Sequence, residues 1–64
     1  MIIGKEQLEK LKGKRVLIRR LDTSYIFEAK IVEISPSGAY IKVKMDYAVQ
    51  WISLYEHVIL EVLD

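Results

Sequence analysis

The chain has no cysteine, one histidine, one proline and three glycines, and each shortage excludes a class of structure. Without cysteine there is no disulfide, no thiolate metal site and no thiol nucleophile. A lone histidine, His57, cannot complete a zinc site, and the nine acidic residues form no calcium-loop motif. We therefore expect no metal and no cofactor. The fold must be stabilised by apolar burial.

Long hydrophobic runs are also missing. A membrane-spanning helix needs about 18 to 20 uninterrupted apolar residues, and the first residues contain no hydrophobic signal-peptide region. We expect a cytoplasmic protein with no membrane association. Asparagine is absent as well, and the charged residues are mainly Lys and Glu. This composition is typical of thermophile proteins and predicts a melting midpoint above about 60 °C.

The 64 residues suffice for a single domain, predicted to span residues 1–64, with one small core. Such a chain has no room for a deep cleft, so we expect no small-molecule substrate. Ser53 and His57 lie four residues apart, but no motif that forms an oxyanion hole accompanies them. The sequence therefore predicts a protein that is not an enzyme.

A short helix and five strands follow from the hydrophobic periodicity. Good helix formers, with Leu8 and Leu11 on one face and Gly13 beyond the end, predict a helix at about residues 5–12 that docks on the following sheet. Alternating patterns predict strands at 15–21, 25–34, 39–45, 49–53 and 58–63, with a bend near Val32 and a turn at 35–38. The predicted core comprises Val16, Ile18, Phe27, Ala29, Ile31, Ile41, Val43, Ile52, Leu54, Val58, Leu60 and Val62.

The order of these elements resembles that of an SH3-like small β-barrel. The segment Trp51-Ile52-Ser53-Leu54-Tyr55-Glu56-His57-Val58-Ile59-Leu60-Glu61 is similar to the passage in which strand four leads through one helical turn into strand five. The resemblance implies a mainly β fold, a five-stranded antiparallel SH3-like barrel over about residues 14–63 with a short N-terminal helix. This fold hosts many unrelated binding functions, so it implies a binding module without specifying the partner.

Residues 11–18 and the long strand 27–34 also resemble the first half of an Sm-like (LSm) RNA-binding domain. The loop after strand two departs from that pattern. It reads Ser35-Pro36-Ser37-Gly38-Ala39, without the Asp and Asn that bind uridine in that family. The resemblance therefore extends to the barrel and not to uridine recognition.

The net charge of +1 conceals an uneven distribution. Residues 1–20 contain seven Lys and Arg against two Glu, a net charge of +5, and the remaining residues have a net charge of −4. A concentrated basic segment attracts phosphate, although it is also compatible with an ordinary solvated face. We expect a module that contacts DNA or RNA backbones, with Glu28 and Glu33 diluting its field. The candidate nucleic-acid-binding residues are Lys12, Lys14, Arg15, Arg19, Arg20, Lys42 and Lys44.

Two other features favour a protein partner instead. Strand 58–63 is apolar on both faces, with Ile59 and Leu63 predicted to point outward, which indicates a protein interaction or self-association. Aromatic residues near the loops form a second candidate surface, where peptides, methylated lysines or nucleobases stack, unless they are core or ordinary surface residues. The residues of this candidate aromatic patch are Tyr25, Tyr47, Trp51 and Tyr55.

Overall fold

The computed structural model describes residues 4–64, which form one short helix and five strands. Residues 1–3 of the predicted domain lie outside the described residues. Each predicted element is present, with each end within one residue of the prediction, and the mainly β class is confirmed. The elements are α1 (Lys5–Leu11), β1 (Arg15–Arg20), β2 (Ile26–Ile34), β3 (Tyr40–Met45), β4 (Ala48–Ser53) and β5 (His57–Val62).

The five strands form one antiparallel sheet in the order β4-β3-β2-β1-β5. In a flat sheet β4 and β5 would lie about 19 Å apart, at about 4.8 Å per strand. Only residues 54–56 connect them, and the four residue steps from Ser53 to His57 span at most about 14 Å. The sheet must therefore curl, so that the core lies on its concave side and the outer face is convex.

The predicted closed barrel is wrong, because the curled sheet remains open between β4 and β5. Within residues 4–64, β4 pairs only with β3 and β5 pairs only with β1. Near their junction the His57 Nδ1–H donates to the Ser53 carbonyl over 2.8 Å. Alternating hydrophobicity predicts which face of a strand is buried, but it contains no information about pairing between the two edges of a sheet.

The core is built from one face of each strand and from the helix. Leu8 on α1 is fully buried, and Leu11 packs against the same cluster, as predicted for a helix too short to be stable alone. The chain after α1 is held to the sheet by the Gly13 N–H, which donates to the Ile31 carbonyl over 2.6 Å. The fully or nearly fully buried residues are Leu8, Val16, Ile18, Ala29, Ile31, Ile41, Val43 and Ile52.

The predicted bend in β2 is confirmed. The register between β2 and β3 shifts between Ile31 and Glu33, so Val32 is an additional residue on β2. The first half of β2 pairs with β1 and the second half pairs with β3. Because a bulge increases local twist, this position contributes to the curl of the sheet.

The predicted orientation of the last strand is wrong in part. Leu60 is 45% exposed and Val62 is 40% exposed, whereas Ile59, predicted to point outward, packs against the core. The cause of the change at Ile59 and Leu60 is a bulge: Leu17 pairs with Glu61 and Ile18 pairs with Ile59, which leaves Leu60 without an opposite residue on β1. Val62 pairs with the buried Val16 and so keeps its predicted side, although it is partly exposed on this edge strand. One additional residue reverses the alternation along a strand. Of the other predicted core residues, Val58 is half-buried, and Phe27 and Leu54 pack on the rim of the core.

Candidate nucleic-acid interface

The convex outer face of the sheet brings several basic side chains together. Alternation with the buried residues places Arg15 and Arg19 of β1, Lys30 of β2, and Lys42 and Lys44 of β3 on this face. Three of them are in register, since Lys30 pairs with Arg15 on one side and with Lys44 on the other. We call Lys44, Lys30 and Arg15 the cationic row. Its Cα atoms span two strand spacings, about 10 Å.

Two carboxylates lie beside Arg15, at one end of the cationic row. The Arg15 guanidinium lies 3.0 Å from Asp64 and 3.3 Å from Glu28, and all three side chains are more than a third exposed. Exposed ion pairs of this kind contribute little stability and are easily exchanged for another anion. Within residues 4–64, neither Lys30 nor Lys44 has a carboxylate oxygen within 4.0 Å. The centre and the far end of the row therefore present unpaired charge.

Asp64 makes the most organised polar contact of this region. Its carboxylate accepts from the Arg15 backbone N–H over 2.8 Å and from the Arg15 Nε–H over 3.0 Å. These hydrogen bonds, reinforced by the positive charge, hold the pKa of Asp64 below its ordinary value. The same contacts raise the pKa of Arg15. This pair links Asp64 to the start of β1.

The remaining predicted basic residues are spread along the chain. Lys12 and Lys14 are exposed and precede Arg15, so they extend the positive charge beyond that end of the cationic row. Arg19 and Arg20 lie at the opposite end of β1, where Arg19 donates to the Ser24 hydroxyl over 3.2 Å.

Two more of the predicted basic residues form ion pairs with carboxylates. Arg20 lies 2.8 Å from Asp22 in the turn that follows β1. Lys42 is on β3 beside the row, with its ammonium 4.0 Å from Glu33. Glu28 and Glu33, the two acidic residues expected to dilute the positive field, each form an ion pair with a cation of the outer face.

Within residues 4–64, no ring pairing joins one residue of the candidate aromatic patch to another. Tyr25 stacks on Phe27 with a centroid distance of 5.8 Å, near β1. Tyr47 and Tyr55 lie in turns at opposite ends of β4, and Trp51 is on the outer face between them. Among residues 4–64, no aromatic ring stacks on Tyr47, Trp51 or Tyr55.

Trp51 instead belongs with the basic side chains of the outer face. It is directly opposite Lys42 in the register between β3 and β4, and its side chain is half exposed. Tyr40, on the same face of β3, is also half exposed. We call Trp51 and Tyr40 the aromatic pair; their Cα atoms are diagonal neighbours, about 7 to 8 Å apart.

The candidate site residues predicted from the sequence do not include Lys30, and Tyr40 is expected there only as an outward residue interleaved with the basic side chains. A usable signal was present in both cases, because each alternates with buried neighbours and must therefore point outward. Their significance depends on register, since only the pairing of β2 with both β1 and β3 makes Lys30 the centre of a row.

A shallow open depression of about 300 Å³ lies over the cationic row, lined by Arg15, Glu28, Lys30, Lys44 and Asp46 among others. Within residues 4–64, no three His, Asp or Glu side chains are grouped to hold a metal ion. The one helix of this part of the chain is too short to cross a membrane. The features available for recognition are therefore surface charge and exposed rings.

Comparison with protein-family models, with curated protein sequences and with solved structures finds no significant match to this chain.

Proposed function

We propose that this protein is a non-enzymatic binding module with an SH3-like arrangement of strands, and that its outer sheet face binds the backbone of DNA or RNA. The observation that supports this best is the cationic row, in which Lys44, Lys30 and Arg15 are direct cross-strand neighbours. Like charges placed opposite each other on a sheet destabilise it slightly. A bound polyanion would relieve that repulsion.

The number of cations sets the strength and character of the binding. Three phosphates neutralised by the cationic row give a logarithmic salt slope of about −2 on a single strand, at about −0.7 per phosphate. With Lys12, Lys14 and Lys42 the number of phosphate contacts rises to at most six. The ammonium and guanidinium groups of this face contact phosphates and do not contact base edges in a groove. The binding is therefore tolerant of sequence.

A titration with a fluorescently labelled oligonucleotide at two salt concentrations tests this proposal. We expect binding at low salt that weakens as salt rises, and a slope that is less steep by about 0.7 in Lys30→Gln. Lys10→Gln is the matched control. Lys10 is an exposed lysine of α1, so this variant has the same loss of charge away from the sheet.

Three results would contradict the proposal. They are the absence of binding at low salt, affinity that does not depend on salt, and equal effects of Lys30→Gln and Lys10→Gln. The last result would mean that net charge alone, and not the outer face, determines binding. Both variants should unfold at nearly the wild-type temperature, because each side chain is exposed.

A second candidate function, protein interaction or self-association through β5, is supported by a different observation. This strand is an edge of the sheet, and its exposed apolar side chains are Leu60 and Val62. Unpaired edge backbone beside apolar side chains favours strand addition.

Sedimentation over a range of protein concentrations tests self-association directly. A dimer that Leu60→Lys converts to a monomer would support this second function. A strict monomer at high concentration would exclude self-association.

A further inference from the structure

Trp51 is an unusual residue to find half exposed on an edge strand. Its relative exposure is 49%, and no ring within residues 4–64 stacks on it. Because β4 is an edge of the sheet, no strand of the described chain pairs with its outer side. One side of the indole is therefore open to a ligand that approaches across the outer face.

Three β3 side chains lie next to Trp51 on the same face. Lys42 is directly opposite, and Tyr40 and Lys44 are the two diagonal neighbours, each with its Cα about 7 to 8 Å away. Lys44 in turn is opposite Lys30. The aromatic pair is thus bordered on one side by three lysines. When a base lies on the indole, the phosphate attached to its sugar is within reach of a long lysine side chain.

We propose that the outer face of β3 and β4 binds single-stranded nucleic acid, with one base stacked on Trp51, a neighbouring base on Tyr40, the phosphate between them held by Lys42, and adjoining phosphates of the same strand held by Lys44 and Lys30. This inference rests on the proposed function and specifies its ligand. Bases of any identity stack on aromatic rings, so the site is tolerant of sequence.

Two physical features favour a single strand over a duplex. In a duplex each base is covered on both faces by its neighbours, so the aromatic pair would have no ring to stack on. The outer face is also convex, because the sheet curls around the core. A convex surface touches a rigid double helix at few points, whereas a flexible strand can follow it.

Trp51 provides its own spectroscopic test, since it is the only tryptophan of the chain. We expect a 12-nucleotide oligothymidylate to quench its fluorescence. An oligonucleotide of the same length with abasic sites should bind more weakly and cause little quenching, because it keeps the phosphates and lacks the bases. A blunt duplex should quench little at the same phosphate concentration.

Variants then locate the stacking residue. Trp51→Ala should weaken binding of labelled oligothymidylate about 5- to 150-fold, the fold-change that corresponds to one stacked base. Tyr47→Ala is the matched control, because Tyr47 is a fully exposed aromatic in the turn before β4 and has no cross-strand partner in the register of β3 and β4. It should change the affinity less than twofold. Circular dichroism must show that both variants remain folded.

The outcomes separate the two proposals. If neither oligothymidylate nor the abasic oligonucleotide binds at low salt, the proposed function itself is refuted. If both bind equally, with unchanged tryptophan fluorescence, the backbone-binding function stands and the stacking inference is refuted. Tighter binding to the duplex than to the single strand also refutes this inference. The fluorescence comparison uses the unmodified protein, so it is decisive even if Trp51→Ala does not fold.

Discussion

The substitution Leu8→Ala should cost more stability than alanine at any other position of the helix. Leu8 is fully buried, whereas the other residues of α1 are exposed or half-buried. Replacing a buried leucine by alanine in a core costs about 2.7 to 5 kcal/mol. A chain of 64 residues has a total stability of about 3 to 10 kcal/mol, at about 0.05 to 0.15 kcal/mol per residue. The variant should therefore lose between about a quarter and all of its free energy of unfolding.

Urea denaturation followed by Trp51 fluorescence measures this loss. Lys10→Ala is the control, because Lys10 is exposed on the same helix and its replacement should change the stability by less than about 0.5 kcal/mol. Hydrogen exchange of the α1 amides provides a second probe. If the helix detaches while the sheet stays folded, those amides lose protection although the fluorescence transition moves less.

A lower free energy of unfolding and a loss of α1 amide protection would each support the conclusion that α1 covers the core. A midpoint shift equivalent to less than 1 kcal/mol, together with unchanged protection of the α1 amides, would refute the reasoning. It would mean that the cavity left by the missing methyl groups collapses without cost, and therefore that α1 is only loosely packed on β2.

Three further outcomes follow from local contacts. The hydrogen bonds from Arg15 hold the pKa of Asp64 below its ordinary value, so their stabilisation is complete above about pH 4 and disappears as the pH falls through the lowered pKa. Asp64→Asn should therefore lower the melting temperature at pH 7 and flatten its decline in acid; an identical pH profile would contradict this. Gly13→Ala should cost about 1 kcal/mol in urea denaturation, because its φ of +86° disfavours a side chain although nothing lies within 4 Å of the added Cβ. Gly38→Ala, with φ +76° and a Cβ 3.2 Å from Lys5 Cβ, should cost more than Gly13→Ala, and equal losses would mean that α1 moves aside freely.

The sequence allowed the faces of the central strands to be predicted, because buried and exposed residues alternate cleanly there. Val16 and Ile18 on β1, and Ile41 and Val43 on β3, are all fully buried as expected. The same reasoning failed on β5. Apolar residues follow one another from residue 58 to residue 60, so the alternation cannot distinguish the two faces, and the bulge opposite Leu17 leaves no mark in the pattern.

Less of the candidate site than of the fold could be predicted from the sequence. Outward orientation of Lys42 and Lys44 follows from alternation alone. Which cations are neighbours depends on strand order and register, and neither is encoded in the local pattern. The bulge at Val32 matters here, since it permits Lys30 to pair with Lys44 while Glu33 pairs with Lys42. A register shifted by one residue would bring a buried side chain opposite Lys30.

The uneven charge distribution favours residues 1–20 as the phosphate-binding segment, whereas the geometry of the sheet favours Lys30 and Lys44. Of the seven basic residues among positions 1–20, only Arg15 belongs to the cationic row, and two carboxylates accompany it. Lys30 and Lys44, which have no such partner within the described residues, come from the segment whose net charge is −4. Local potential depends on which charges are adjacent in space and unpaired, and the charge of a stretch of sequence is a poor guide to it when β pairing joins distant residues. The proposed interface is therefore a product of the register of β2, and a substitution there that shifts this register should abolish binding without changing the net charge.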